Sequence, residues 1–221
     1  MLAAALSPLV FGALVLGCRR VGARRLRPLL RLRHAHNVAL CLYSAVAATS
    51  SLLKLEGSGR LDLAANGAWP LLCRSSPGTP PFWLASKYWE WLDTVFIIAS
   101  GKTPSSLHLG HHATAASVTA VNMAGRPTPI FDIGTAINAA IHAFMYSYYA
   151  NPELMRPFRQ WITRAQLAQH ALVLCCCLAA LSTPWCEAPA LPYGIALAAY
   201  AFYFCAFAHF YAVTYWPKRR D

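Results

Sequence analysis

Seven apolar stretches run through the chain, at about residues 2–17, 35–53, 82–100, 107–122, 130–150, 161–182 and 191–213. Most approach the ~20 residues that a helix needs to cross a bilayer. In lipid each stretch must satisfy its own backbone hydrogen bonds, which makes it a helix. Composition agrees: 57% of the 221 residues are hydrophobic and 12% are charged, about half the charge of an ordinary soluble domain. The chain therefore reads as all-α and polytopic, with seven transmembrane helices in a single domain over 1–221. The first stretch is short. No basic residue precedes it and a dense basic run follows it, so it is expected to remain as a helix and not to be cleaved as a signal peptide.

The formal net charge is +11. Its placement between apolar spans points to membrane orientation, and no nucleic-acid partner is expected. Arg19, Arg20, Arg24, Arg25, Arg27, Arg31 and Arg33 follow the first span. Lys102 follows the third, Arg156, Arg159 and Arg164 lie around the start of the sixth, and Lys218, Arg219 and Arg220 close the chain. These fourteen share one side of the membrane, against four on the other: Lys54, Arg60, Arg74 and Arg126. The asymmetry predicts a cytosolic C-terminus and a luminal N-terminus. The eight cysteines include no CxxC pair. They read as packing residues, with Cys73 and Cys186 on the side that would face an oxidising lumen.

The third stretch, "FWLASKYWEWLDTVFII", carries Lys87, Glu90 and Asp93. Each would cost about 2.5–3.5 kcal/mol at a bilayer centre. Measured from the cytosolic end of that span, Asp93 lies about 10 Å deep, Glu90 about 15 Å and Lys87 about 20 Å. His108, His111 and His112 of "HLGHH" fall within roughly 8 Å of the same side, and His142, Gln166 and Gln169 about 8–12 Å deep. At a helical period Lys87, Glu90, Asp93 and Thr94 share a face, as do the three box histidines. Asn138, His142, Tyr146 and Tyr149 form a ridge on the fifth span, and Thr163, Gln166 and Gln169 a face of the sixth. Polar faces from four helices thus meet at one depth, around each other or around a cavity. His34 and His36 adjoin the basic link and are placed at the membrane interface; His170 and His209 read as structural.

A satisfied polar network that glues a bundle would also use such residues, as would a small transporter or scaffold. Three histidines in five residues favour chemistry. An HxxHH box also occurs in membrane metal-dependent desaturases and hydroxylases. A single-metal site on two or three of the box histidines, with Glu90 and Asp93 helping to ligate, is the alternative reading. This chain has one such box, and Lys87 beside the carboxylates opposes a cation, so neither a metal nor any other cofactor is expected. Histidine is then nucleophile or base.

"KYWEWLDT", "HLGHH", "NAAIHAFMYSYY" and "TRAQLAQ" together resemble, in order and spacing, the motifs KxxExxDT, HxxHH, NxxxHxxMYxYY and TxxQxxQ of the ELO family of very-long-chain fatty acid elongases. The match is strong over about residues 82–170. The chain departs from the family's pattern in lacking an aromatic residue before Leu107, in Leu109 after the first box histidine, and in His170 where Phe is common. The tail "KRRD" resembles a dibasic endoplasmic-reticulum retrieval signal, with its lysine out of place.

The resemblance implies a bundle in which spans 2–7 surround an acyl tunnel. It implies condensation of acyl-CoA with malonyl-CoA to 3-oxoacyl-CoA, CoA and CO2. His111 would be the nucleophile that carries an acyl-imidazole, His142 its partner near the reacting carbonyls, and His108 and His112 would orient or shuttle protons. Lys87, Asn138 and Tyr146 would be hydrogen-bond donors, with Glu90, Asp93, Tyr149 and Gln166 organising them. Arg156, Arg159, Lys218 and the Arg19–Arg33 run are candidates for the CoA phosphates. The resemblance further implies an endoplasmic-reticulum membrane setting, lipid contact, and a ketoacyl-CoA reductase, a dehydratase and an enoyl reductase as successors in the cycle. It is compatible with a homo-oligomer. The fifth span, "GTAINAAIHAFMYSYY", together with Thr103 five residues before the first box histidine, leans towards saturated or monounsaturated chains.

Overall fold

The computed structural model describes residues 6–59, 62, 72–73, 81–124, 129–184, 186 and 190–216. Helix is the only regular structure among them. Helix α1 spans Ser7–Val21 and ends at Gly22, whose φ of 83° lies in the region that favours glycine. A short α2, Ala23–Leu26, and a 3-10 segment, Arg27–Leu32, carry the basic run into the long α3, Arg33–Gly57. Next come α4, Pro81–Trp89, and α5, Trp91–Ala99. Helix α6 is Ser106–Ala124 and α7 is Pro129–Ala150. The Asn151 side chain caps the short α8, Pro152–Met155, by accepting from the Leu154 N–H at 3.2 Å. A 3-10 turn, Arg156–Phe158, leads into α9, Arg159–Leu181, and α10 is Ala190–Tyr215.

The third apolar stretch is not one helix. The Glu90 carbonyl accepts from the Asp93 N–H, three residues on, at 3.1 Å. That tightened turn separates α4 from α5. In such a turn residues three apart eclipse, which helps to line Lys87, Glu90 and Asp93 along one side. Three helical stretches among the described residues are long and apolar enough to cross a membrane: Ala23–Gly57, Pro152–Leu181 and Ala190–Tyr215. The others fall short for physical reasons. Helix α1 has 15 residues, α4 and α5 have nine each, and α6 and α7 give much of their length to polar groups.

Helix α3 packs along α7, α7 on α9, α9 on α10, α10 on α6, and α6 on α4. Side chains close the ring: the Tyr43 hydroxyl of α3 donates to the Phe82 carbonyl of α4 at 2.9 Å, and His36 of α3 meets Asp93 of α5 at 2.9 Å. Helix α1 lies outside, against α5 and α6. There Phe11, Val15 and Cys18 bury against Trp91, Val95 and Ile98. A second apolar cluster, centred on Phe131, Val173, Cys177 and Tyr193, joins α7, α9 and α10. Leu9, Leu42, Val46, Phe144, Trp161 and Leu191 point outward, as contact with lipid tails requires. At Gly110 of the histidine box a Cβ would lie 2.7 Å from Phe202 Cζ, so a larger residue there would make that exposed ring turn aside.

Cys73 and Cys186 form a disulfide across 113 residues. The other six cysteines are free, as packing residues would be.

Candidate active site

A cavity of about 570 Å³ occupies the ring's interior, and a narrower one of about 70 Å³ lies beyond it. His111, Asn138, Gln169 and His170 line both, so they form the waist between a chamber and its extension. Arg33, Lys102 and Arg159 line the outer part of the chamber. The extension runs between Lys87 and Trp83 on one side and Ile130, Phe131 and Val173 on the other.

The Lys87–Glu90 pair anchors the site. Lys87 is 4% exposed and Glu90 3%, and the ammonium donates to Glu90 Oε1 at 2.7 Å. Lys87 Nζ also donates to Asn138 Oδ1 at 3.4 Å and lies 4.1 Å from the centre of the Trp83 ring. His142 Nδ1 stands 3.5 Å from the same Glu90 oxygen. A buried charge is tolerable only when paired and hydrogen-bonded, and these contacts supply both conditions.

One turn nearer the mouth, Asp93 is held from two helices. His36 Nε2 is 2.9 Å from Oδ1, and the Tyr146 hydroxyl donates to Oδ2 at 2.7 Å. Tyr146 has one hydroxyl proton, and Asp93 takes it. The residue read as a donor to substrate is therefore a brace for the carboxylate. His36, placed at the interface on its proximity to the basic link, is buried instead.

In the histidine box, His108 Nε2 bonds the Thr94 hydroxyl at 2.8 Å, and its ring lies 4.1 Å from that of His112. The His112 carbonyl accepts from the Trp91 indole at 3.0 Å. The His111 ring rests against Tyr203 at 5.1 Å, and the Tyr203 hydroxyl is tied to Thr114 at 2.7 Å. Thus His108 is fixed by its neighbours, while His111 stands at the waist beside the ring of Tyr203.

His108, His111, His112 and His142 all line the chamber, with Glu90, Asp93, Asn138, Tyr146, Tyr149 and Gln166; Lys87 lines the extension. Of the cationic candidates, Arg159 is at the rim and Arg33 represents the N-terminal basic run. Arg156, the first residue of the 3-10 turn after α8, is not in the lining. Lys218 lies outside the described residues. Lys102, assigned only to orientation, also reaches the rim. Gln169 was legible as part of a polar face but carried no assigned role, and His170 read as structural. Tyr203 had no sequence signal: it is one aromatic in a uniformly apolar helix.

These features define a helical membrane protein with a charged, histidine-lined chamber inside its bundle. The chain belongs to the ELO: GNS1/SUR4 family, whose model matches residues 3–221. It is similar to fatty acid elongase sre1 of Dictyostelium discoideum, 29% identical over 172 residues that cover 70% of this chain and 62% of that protein. Fatty acid elongase 4 of Trypanosoma brucei brucei is 33% identical over 163 residues, 67% of this chain and 62% of the relative. Very long chain fatty acid elongase 5 of Mus musculus is 35% identical over 96 residues, 40% and 32% of the two chains. The chain thus matches less than two thirds of the length of these curated relatives.

Proposed function

We propose that the chain is a condensing enzyme of fatty acid elongation, converting acyl-CoA and malonyl-CoA into 3-oxoacyl-CoA, CoA and CO2. The observation that carries this is the meeting of a basic-rimmed chamber and a narrow extension at His111. CoA phosphates would stay at the Arg33, Lys102 and Arg159 rim, where guanidinium and ammonium groups suit them. The thioester would reach the waist, and the alkyl chain would enter the extension.

A neutral imidazole nitrogen of His111 attacks the thioester carbon. The C–N bond forms and the C–S bond breaks. The CoA thiolate leaves with the electron pair and takes up the proton that the acylated ring releases. Malonyl-CoA then loses CO2, and the electron pair left behind forms an enolate that attacks the acyl carbon. The C–N bond breaks, its electron pair stays on the His111 nitrogen, and that nitrogen takes one proton from solvent, the proton that the overall condensation consumes. His142, 3.5 Å from Glu90, is the partner assigned to the reacting carbonyls. His108 and His112 orient the box. Saturated or monounsaturated chains are the favoured substrates. Purified protein given malonyl-CoA and a panel of acyl-CoAs should release CoA and yield 3-oxoacyl-CoA two carbons longer. No such product from any chain length would overturn the reading.

The chemistry assigned to His111 is organic throughout. Chelation followed by exhaustive metal removal should therefore leave condensation within about twofold of its starting rate, since no step needs a Lewis acid. Stoichiometric iron or zinc that is lost together with activity, and restores it when returned, would contradict this.

The membrane setting is the endoplasmic reticulum, with the chamber mouth on the cytosolic side. The fourteen-to-four distribution of basic residues supports this orientation. The Cys73–Cys186 disulfide at the other end of the bundle supports it independently, since such bonds persist in oxidising compartments. A glycosylation acceptor fused to the C-terminus should stay unmodified in microsomes, and one at the N-terminus should be modified. The reverse pattern would put the mouth in the lumen, away from cytosolic CoA esters.

A further inference from the structure

Gln169 and His170 are neighbours on α9, and both line the waist beside His111. Each is 3% exposed. Gln169 is anchored at one end: its Oε1 accepts from Asn138 Nδ2 at 3.4 Å. Asn138 Oδ1 in turn accepts from the Lys87 ammonium at 3.4 Å. The other end of Gln169, Nε2, has no partner. Both ring nitrogens of His170 also lack one. Its ring is walled by Tyr200, Tyr203 and Phe207, with centroids at 5.5, 5.7 and 5.2 Å.

Buried donors without partners are rare in folded proteins and costly. Here they line a cavity, and Gln169 ends an oriented hydrogen-bond chain. From Lys87 through the Asn138 amide to the Gln169 amide, every group donates in the same direction. The positive charge at one end polarises the free N–H at the other. Such a chain suits an acceptor that arrives with the ligand and becomes negative.

We propose that Gln169 and His170 are further catalytic residues, a pair of donors for the carbonyl oxygen of the acyl thioester during its transfer to His111. The inference rests on the condensing function proposed above. As the His111 nitrogen bonds to the carbonyl carbon, the carbonyl π pair moves onto oxygen. That oxyanion accepts from Gln169 Nε2 and from the one N–H of a neutral His170. When it collapses, the C–S bond breaks and CoA leaves as thiolate, to be protonated by the imidazolium. Donors held in place before the charge appears need no reorganisation at the moment of reaction. Lys87 and Asn138 are positioning residues that aim Gln169.

The test measures the first half-reaction alone, with purified full-length protein and acyl-CoA and without malonyl-CoA. Single-turnover CoA release is followed in the wild type, Gln169→Met and His170→Phe, with thermal unfolding of each variant beside it. Gln169→Met is expected to slow acylation roughly 10²–10³-fold, the size of effect seen when one oxyanion donor is removed. His170→Phe is expected to slow it roughly tenfold or more on the same grounds. Binding of a thioether analogue that lacks the carbonyl should not weaken in either variant, which a merely structural role would not predict. Should Gln169→Met fail to fold, Gln169→Glu keeps the acceptor for Asn138 and removes the donor. Release at the wild-type rate from either folded variant overturns the donor pair alone. No release from the wild type overturns the condensing reading and the pair with it.

Discussion

Replacing His111 with alanine is expected to abolish acyl transfer while leaving the fold intact. A covalent route needs one imidazole to hold the acyl group between two half-reactions. Wild-type protein given acyl-CoA alone should therefore release free CoA and gain the mass of one acyl group. His111→Ala should lose both signals and slow condensation by roughly 10⁴-fold or more, the scale on which deletion of a nucleophile acts. The protein should still fold, because the ring is only half-buried and faces a cavity on one side. His108→Ala should be harder on the structure, since it frees the buried Thr94 hydroxyl and removes the ring that packs 4.1 Å from that of His112. Intact-mass spectrometry and a CoA thiol assay decide the matter. CoA that appears only when both substrates are present would demote His111 to general base in a direct condensation. Near-normal turnover in His111→Ala would end the histidine-box mechanism.

The second large effect is on stability. Lys87→Met leaves the Glu90 carboxylate buried without its cation, and Glu90→Gln does the same to the ammonium. Removing one member of a buried pair costs about 3–5 kcal/mol. The 2.7 Å contact and the near-complete burial of both groups place this pair in that class. Lys87→Met should also release Asn138 and loosen His142 through Glu90. Each single variant is expected to unfold at a clearly lower temperature in detergent and to lose activity. The Lys87→Met/Glu90→Gln double variant should recover part of the stability but none of the activity, because the two changes couple. Single variants that melt with the wild type would show that the pair contributes nothing to the fold.

Much of this protein was legible in its sequence. Hydropathy located the helices, because a bilayer admits only segments that close their own hydrogen bonds. The helical period then assigned faces: Lys87, Glu90 and Asp93 turn to one side, as do Asn138, His142 and Tyr146, and all of them line the two cavities. The four motifs pointed to the family, which the family match over residues 3–221 shows. The break at Glu90 was not legible, because it rests on one tightened turn that no glycine or proline marks in the sequence.

Partnership between helices was decided only by the tertiary structure. Periodicity gives the direction of a side chain around its own axis, not what stands opposite. His36 was read by its neighbours in sequence, yet its contact is Asp93, 57 residues away. Cys73 finds Cys186 across 113 residues. Tyr146 bears a hydroxyl that its place on a polar ridge offered to the substrate, and the closed bundle commits it to Asp93 of α5 at 2.7 Å. Gln169 and His170 gain their significance from an absence of partners at a waist that exists only once the ring of helices has closed. The sequence by itself determined which residues are too polar for lipid and so must face inward. The packed bundle decided which of them satisfy one another and which remain free for a ligand, because hydrogen bonds at about 3 Å are set by interhelical distances that no single segment encodes.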